Sequence, residues 1–115
     1  MHVNTVILVG RLAEYPSRRS LPAGGGVVSW RLIVDRPREG GGRRTVDTIR
    51  CATFDPHLGD RTATWRPGDL IGVQGSLRRR FWRNDATRLG RYEVEVHEAE
   101  PVEYAAPVSP AGPSP

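Results

Sequence analysis

The stretch Arg78-Arg79-Arg80-Phe81-Trp82-Arg83 sets two large aromatics inside a basic run. In an extended chain, alternation puts Arg78, Arg80 and Trp82 on one face and Arg79, Phe81 and Arg83 on the other. Two guanidiniums beside an indole can grip a phosphate and stack a flat ring, the stacking worth about 1–3 kcal/mol per base. The plainer reading is that Trp82 covers one end of a barrel and the arginines are merely solvated. Other arginines could extend a basic surface: Arg11, Arg18, Arg19, Arg31, Arg36, Arg43, Arg44 and Arg50. Each alone reads as a solvated charge. Together they make a basic face.

Catalytic chemistry finds little support. His2, His57 and His97 are scattered, and none has zinc-ligand spacing with the lone Cys51. Cys51 lies in an apolar stretch and reads as a small buried residue. Gly24-Gly25-Gly26 and Gly40-Gly41-Gly42 lack the Gly-x-x-x-x-Gly-Lys context of a phosphate loop, and the chain has no Lys. There is no serine nucleophile elbow, and no carboxylate pair stands out by its surroundings. The expectation is a protein without enzymatic activity, cofactor or metal.

At 115 residues and 37% hydrophobic content the chain suits one small domain with a modest core. It has no run of 18 apolar residues and no cleavable leader pattern, so neither a membrane partner nor secretion is expected. One cysteine cannot form an intramolecular disulfide, and a reduced cytosolic compartment is the simplest setting. Charge is unevenly placed. Residues 1–92 hold all 17 arginines and eight acids, whereas Glu93, Glu95, Glu98, Glu100 and Glu103 follow with no arginine among them. That split suggests one face for a polyanion and an acidic last strand turned away from it. GC-rich coding accounts for part of the use of Arg in place of Lys, but not for the local excess.

These residues sit on short strands divided by Gly and Pro. Val6 to Gly10 is an apolar run in which Gly10 marks a bulge or bend. Pro16 and Leu21 to Gly26 frame a turn-rich return. Val28, Trp30, Leu32 and Val34 alternate with Ser29, Arg31 and Asp35, the pattern of a half-buried strand, with Trp30 in the core. A third strand runs Val46 to Phe54. Asp55-Pro56 then opens a short helix towards Trp65, which reads as packing. Leu70 to Leu77 forms a fourth strand continuing to Arg83, and Tyr92 to Val96 a fifth. Three strands, a helix and two strands is the order of an OB-fold, an all-β, five-stranded Greek-key barrel with one short helix between strands 3 and 4. Strand count alone also fits an SH3-like barrel. Gly72 and Gly75 suit the curvature of a small barrel. The expected division is a domain over 1–102 and a Pro/Ala-rich, disordered tail over 103–115.

Val3-Asn4-Thr5-Val6-Ile7-Leu8-Val9-Gly10-Arg11-Leu12, with Pro16, Leu21-Pro22 and Gly24-Gly25, resembles the start of bacterial single-stranded DNA-binding proteins. The resemblance continues through Ile49 to Phe54, Trp65-Arg66-Pro67-Gly68-Asp69, Gly75 to Trp82 and Arg91 to Val96, about residues 3–102 in all. It implies an OB-fold that coats single-stranded DNA in replication, recombination or repair, a homotetramer, and a cytoplasmic, nucleoid-associated setting. By position it implies base stacking by Phe54 and Trp82, and phosphate contact by Arg19, Arg50, Arg78 and Arg80. Thr48 and Arg38 stand where such proteins carry stacking tryptophans, so fewer platforms and greater salt sensitivity are expected. After Glu103 there is no acid and no terminal aromatic, so recruitment of repair enzymes through an acidic tip is not expected. The alternative roles for the same barrel are an assembly adaptor of primosome type and an RNA binder.

Overall fold

The computed structural model describes residues 1–37, 45–80 and 90–103. The basic glycine loop around Gly40–Gly42, Phe81-Trp82-Arg83, the polar loop that follows and residues 104–115 of the tail lie outside the described residues. The elements run β1 (Val6–Leu12), β2 (Ser17–Ser20), β3 (Gly26–Asp35), β4 (Val46–Thr53), α1 (Pro56–Arg61), a 3-10 turn (Thr62–Thr64), β5 (Leu70–Arg80) and β6 (Arg91–Pro101). All five expected strands are present, with the helix between the third and fourth of them. The sheet order is β1-β5-β6-β4-β3-β2, and an added β1–β3 pairing closes it. This closed antiparallel sheet, with one parallel contact between β4 and β6, is an OB-fold.

Alternation in β3 sends Val28, Trp30 and Leu32 inward, where they meet Leu12, Cys51, Ile71, Val73, Val94 and Val96. Trp30 packs edge-on against Trp65, with centroids 5.1 Å apart and planes at 87°. Such a contact adds about 0.5–1.5 kcal/mol beyond the area the two rings bury. The helix starts as its sequence dictates: the Asp55 carboxylate accepts from the His57 N–H at 3.0 Å, and Pro56 takes the first helical position. Its Leu58, fully buried, plugs the barrel beside Trp65.

Two features depart from the sequence reading. The return after Pro16 contains a sixth strand, β2, whose Ser17-Arg18-Arg19-Ser20 are all exposed. It is held by its backbone ladder to Gly26–Ser29 rather than by a buried face, so no hydrophobic period announces it. β6 also runs five residues past Val96. A register shift opposite Gln74/Gly75 pairs Gly75 with Val96 but Gln74 with Glu98, so His97 is the extra residue. That shift breaks the period of two and then returns Ala99 to the core.

Glycine is required where strands cross closely. A Cβ on Gly10 would meet the Ile33 carbonyl oxygen at 2.6 Å, where β1 swings from β5 towards β3. On Gly75 it would meet the Glu95 carbonyl oxygen at 2.0 Å, beside the bulge. We expect Gly75→Ala to lose more than about 3 kcal/mol of stability in urea unfolding, because two backbones must separate. Cys51 supplies a second expectation. Burial, and then the charge of Glu93, push its thiol up from 9.0 to about 12. Below pH 9 the thiol is neutral in folded and unfolded chains alike. Above it the unfolded chain ionises first, so stability falls by up to about 1.4 kcal/mol per pH unit. Denaturation of wild type and Cys51→Ala from pH 8 to 10.5 checks this; only the variant should keep a flat response.

Candidate nucleic-acid interface

The outward face of the sheet gathers residues that are far apart in the chain. On β3, Val27, Ser29 and Arg31 point away from the core, and on β4 so do Arg50 and Ala52, with Arg31 opposite Arg50 and Ser29 opposite Ala52. β2 extends this face, placing Ser17 and Arg19 beside Ser29 and Val27. On the other side of β4, the parallel contact sets Ala52 against Glu95, and the β5–β6 ladder sets Arg78 against Glu93.

Between these strands lies an open groove of about 320 Å³. Arg19, Arg50, Phe54 and Arg80 line it, together with Glu93; Leu21, Val27 and Ala52 give it an apolar floor. Phe54 stands at its edge, 42% exposed, with the Arg80 guanidinium 5.3 Å from the ring centroid. That is cation–π range. Arg19, Arg50, Phe54 and Arg80, all singled out from the sequence, therefore converge here. Arg78 and Arg31 lie on the same face just outside the groove. Trp82 is outside the described residues.

Arg11 and Arg36 are placed elsewhere, near the far end of β3. Arg11 pairs with Asp35 at 3.6 Å. Arg36 donates to Asp47 at 2.8 Å, and Asp47 shares the inward register of Ile49 and Cys51, on the opposite side of the β3–β4 ribbon from Arg50. That hydrogen bond holds Arg36 above the ordinary guanidinium range and Asp47 below the usual carboxylate range.

The acids correct the sequence reading. Glu93 and Glu95 are not turned away from the basic face; they sit within it. Glu93 is 7% exposed and accepts from Arg80 Nε at 2.9 Å and from Arg50 Nε at 3.4 Å. Glu95 accepts from Arg80 Nη2 at 2.9 Å and from Arg78 Nε at 3.2 Å. Three guanidiniums thus share two carboxylates. The hydrogen bond to Glu93 is the main cause that holds Arg80 above its ordinary range, and a bond to Glu14 does the same for Arg31. The sequence carried only the outward direction of these acids, and the β5–β6 pairing supplies the rest. In Tyr92-Glu93-Val94-Glu95-Val96 the acids alternate with buried valines, which puts them on the outward face that Arg78 and Arg80 share.

Chemically, the groove offers cations at fixed positions, one exposed ring and an apolar floor. Among the described residues no three His, Cys, Asp or Glu side chains cluster to hold a metal, and no helix is long and apolar enough to cross a membrane. Fold and face together define an OB-fold whose outward sheet carries a groove of ordered guanidiniums beside an exposed ring. The chain belongs to the single-strand binding protein family, whose pattern matches residues 3–102. It is 35% identical over 104 residues to single-stranded DNA-binding protein 3 of Listeria innocua, covering 89% of this chain and 63% of that one. With single-stranded DNA-binding protein A of Bacillus subtilis the identity is 32% over 111 residues, covering 96% and 63%. The chain therefore spans a little under two thirds of the length of these relatives. In fold it is similar to a Plasmodium falciparum SSB solved in complex with ssDNA, with a TM-score of 0.78 at 21% identity over 90% of this chain and 97% of that one.

Removing Arg80 would leave the nearly buried Glu93 carboxylate with one partner instead of two. We expect Arg80→Ala to cost about 1–3 kcal/mol in urea denaturation. Arg36→Ala, which breaks a solvent-screened pair, should leave the unfolding midpoint unchanged.

Proposed function

We propose that this chain binds and coats single-stranded DNA with little sequence preference and no catalysis, in replication, recombination or repair. The observation that carries this reading is the meeting of Arg19, Arg50, Phe54 and Arg80 in one groove. An exposed ring accepts any base, because every base has a π-face, and guanidiniums follow the phosphates. Arg31 and Arg78 extend the path on either side, and Trp82, at the tip of the basic run, adds a second stacking platform. The division into a binding domain over 1–102 and a disordered tail over 103–115 is part of the same reading. So is a cytoplasmic setting at single-stranded stretches of the nucleoid, which a lone unpaired cysteine suits.

The same reading includes assembly into a homotetramer. Val6 to Val9 pair with β5 on one side, and no described strand pairs with their other edge. Ile7 and Val9 point outward from that strand at 68% and 49% exposure, over a shallow cavity of about 440 Å³ shared with Gly72, Gln74 and Val102. An open edge with apolar neighbours invites a second copy of the chain. Sedimentation should give four times the 12.7 kDa chain mass, and Ile7→Glu should reduce it. A monomer at micromolar concentration would exclude assembly through this edge.

Titration with oligo-dT tests the DNA reading. Trp30 and Trp65 are each 2% exposed in the core, so quenching on binding reports Trp82. Saturable quenching that weakens with salt is expected, with a log–log slope of about −0.7 per phosphate neutralised. Trp82→Phe should abolish the signal, and Phe54→Ala should weaken binding by about 5- to 150-fold, the equivalent of one lost stack. Binding that ignores salt would contradict the phosphate contacts. A marked preference for matched RNA would move the assignment to RNA.

A further inference from the structure

Resting on the single-strand reading, we propose that Glu93 is a positioning residue for DNA binding: its carboxylate clamps Arg50 and Arg80 side by side beneath the path of the strand. An acid in a phosphate-binding face is at first sight a defect, and its geometry argues otherwise. One oxygen, Oε1, takes Arg50 Nε from β4, and the other, Oε2, takes Arg80 Nε from β5. The side chain is 8% exposed, whereas those of Arg50 and Arg80 are 35% and 32% exposed. The cations therefore stand between the acid and solvent, and an arriving phosphate meets guanidiniums first.

Each contact to Glu93 uses one of a guanidinium's five N–H donors. The pair with its acid still carries one net positive charge. What the acid supplies is order. Arginine has many rotamers, and freezing one on binding costs affinity; a side chain already held loses less. Glu95 repeats the device one step along, holding Arg78 and the second edge of Arg80. Phe54 gains too, because the clamped Arg80 guanidinium lies over its ring.

The test separates order from charge, which predict opposite signs. Glu93→Gln keeps the shape but turns one of the two oxygens into an NH2 that faces a guanidinium N–H, so one of the two present contacts is lost, and it raises net charge by one. If charge alone mattered, the variant would bind DNA more tightly. Positioning predicts about fivefold to tenfold weaker binding of fluorescein-labelled dT oligonucleotide in about 0.1 M salt. In an Arg50→Ala/Arg80→Ala background, where nothing is left to position, the same change should become neutral or tighten binding. A further readout needs no DNA: nitrogen relaxation at Arg50 and Arg80 Nε should report restricted side chains in the free wild type and mobile ones in Glu93→Gln. Unchanged or tighter binding by Glu93→Gln, while wild type binds, would overturn the positioning role and leave the function standing. A persisting loss in the double-arginine background would equally overturn it, as the sign of a general structural effect. Failure of wild type to bind would remove the single-strand reading itself.

Discussion

The short parallel contact between β4 and β6, Cys51 with Val94 and Ala52 with Glu95, is the join on which the rest of the molecule turns. On its inner side it completes the core, since Cys51 and Val94 are both fully or almost fully buried. On its outer side it brings the β3–β4 hairpin, with Arg31 and Arg50, against the β5–β6 hairpin, with Arg78 and Arg80. Without that join the two hairpins would be linked only through β1, and their arginines would not share one surface. With it they form one surface. The groove is thus a direct product of barrel closure, and the glycines that permit closure serve the site as much as the fold. Gly75, which admits the Glu95 carbonyl at the bulge, is the clearest case.

Closure also sets the electrostatics. Five cations crowding one face of a small sheet would repel one another, and Arg31 stands directly opposite Arg50. Like charges in cross-strand positions are destabilising unless something intervenes. Here Glu14 holds Arg31, Glu93 holds Arg50 and Arg80, and Glu95 holds Arg78 and Arg80. A partly compensated face keeps its positive potential while the free protein avoids much of the repulsion. Five cations against three carboxylates leave the face two positive charges in excess.

A barrel this small has room for few large residues, and it spends them on packing. Trp30 and Trp65 fill the interior edge to face, Leu58 plugs it from the helix, and the exposed aromatic of the groove is the smaller Phe54. The apolar floor of Leu21, Val27 and Ala52 shows that the outward face is not purely ionic. Apolar exposure is concentrated elsewhere as well, at Ile7 and Val9 on β1, away from the groove.

The amino-acid sequence alone determined the local elements. Alternation in β3, the Asp55-Pro56 cap, and the order of strands around one helix follow from backbone periodicity and capping, which act over a few residues. It also marked Arg50, Arg78 and Arg80 by type and position, and Trp30, Trp65 and Cys51 as core, whereas Phe54 was marked only by the family resemblance. Two elements escaped because their causes are not local. β2 exists through ladder bonds to β3 rather than a buried face, and the bulge at His97 disguises the second half of β6. The role of Glu93 and Glu95 escaped for the same reason. As a run of acids near the end of a basic chain they suggest a face of their own, and their alternation with Val94 and Val96 says only that they point outward. That they point into the basic face is decided by which strands become neighbours. Long-range pairing across 43 residues brings Arg50 to Glu93, and only the closed sheet contains that distance.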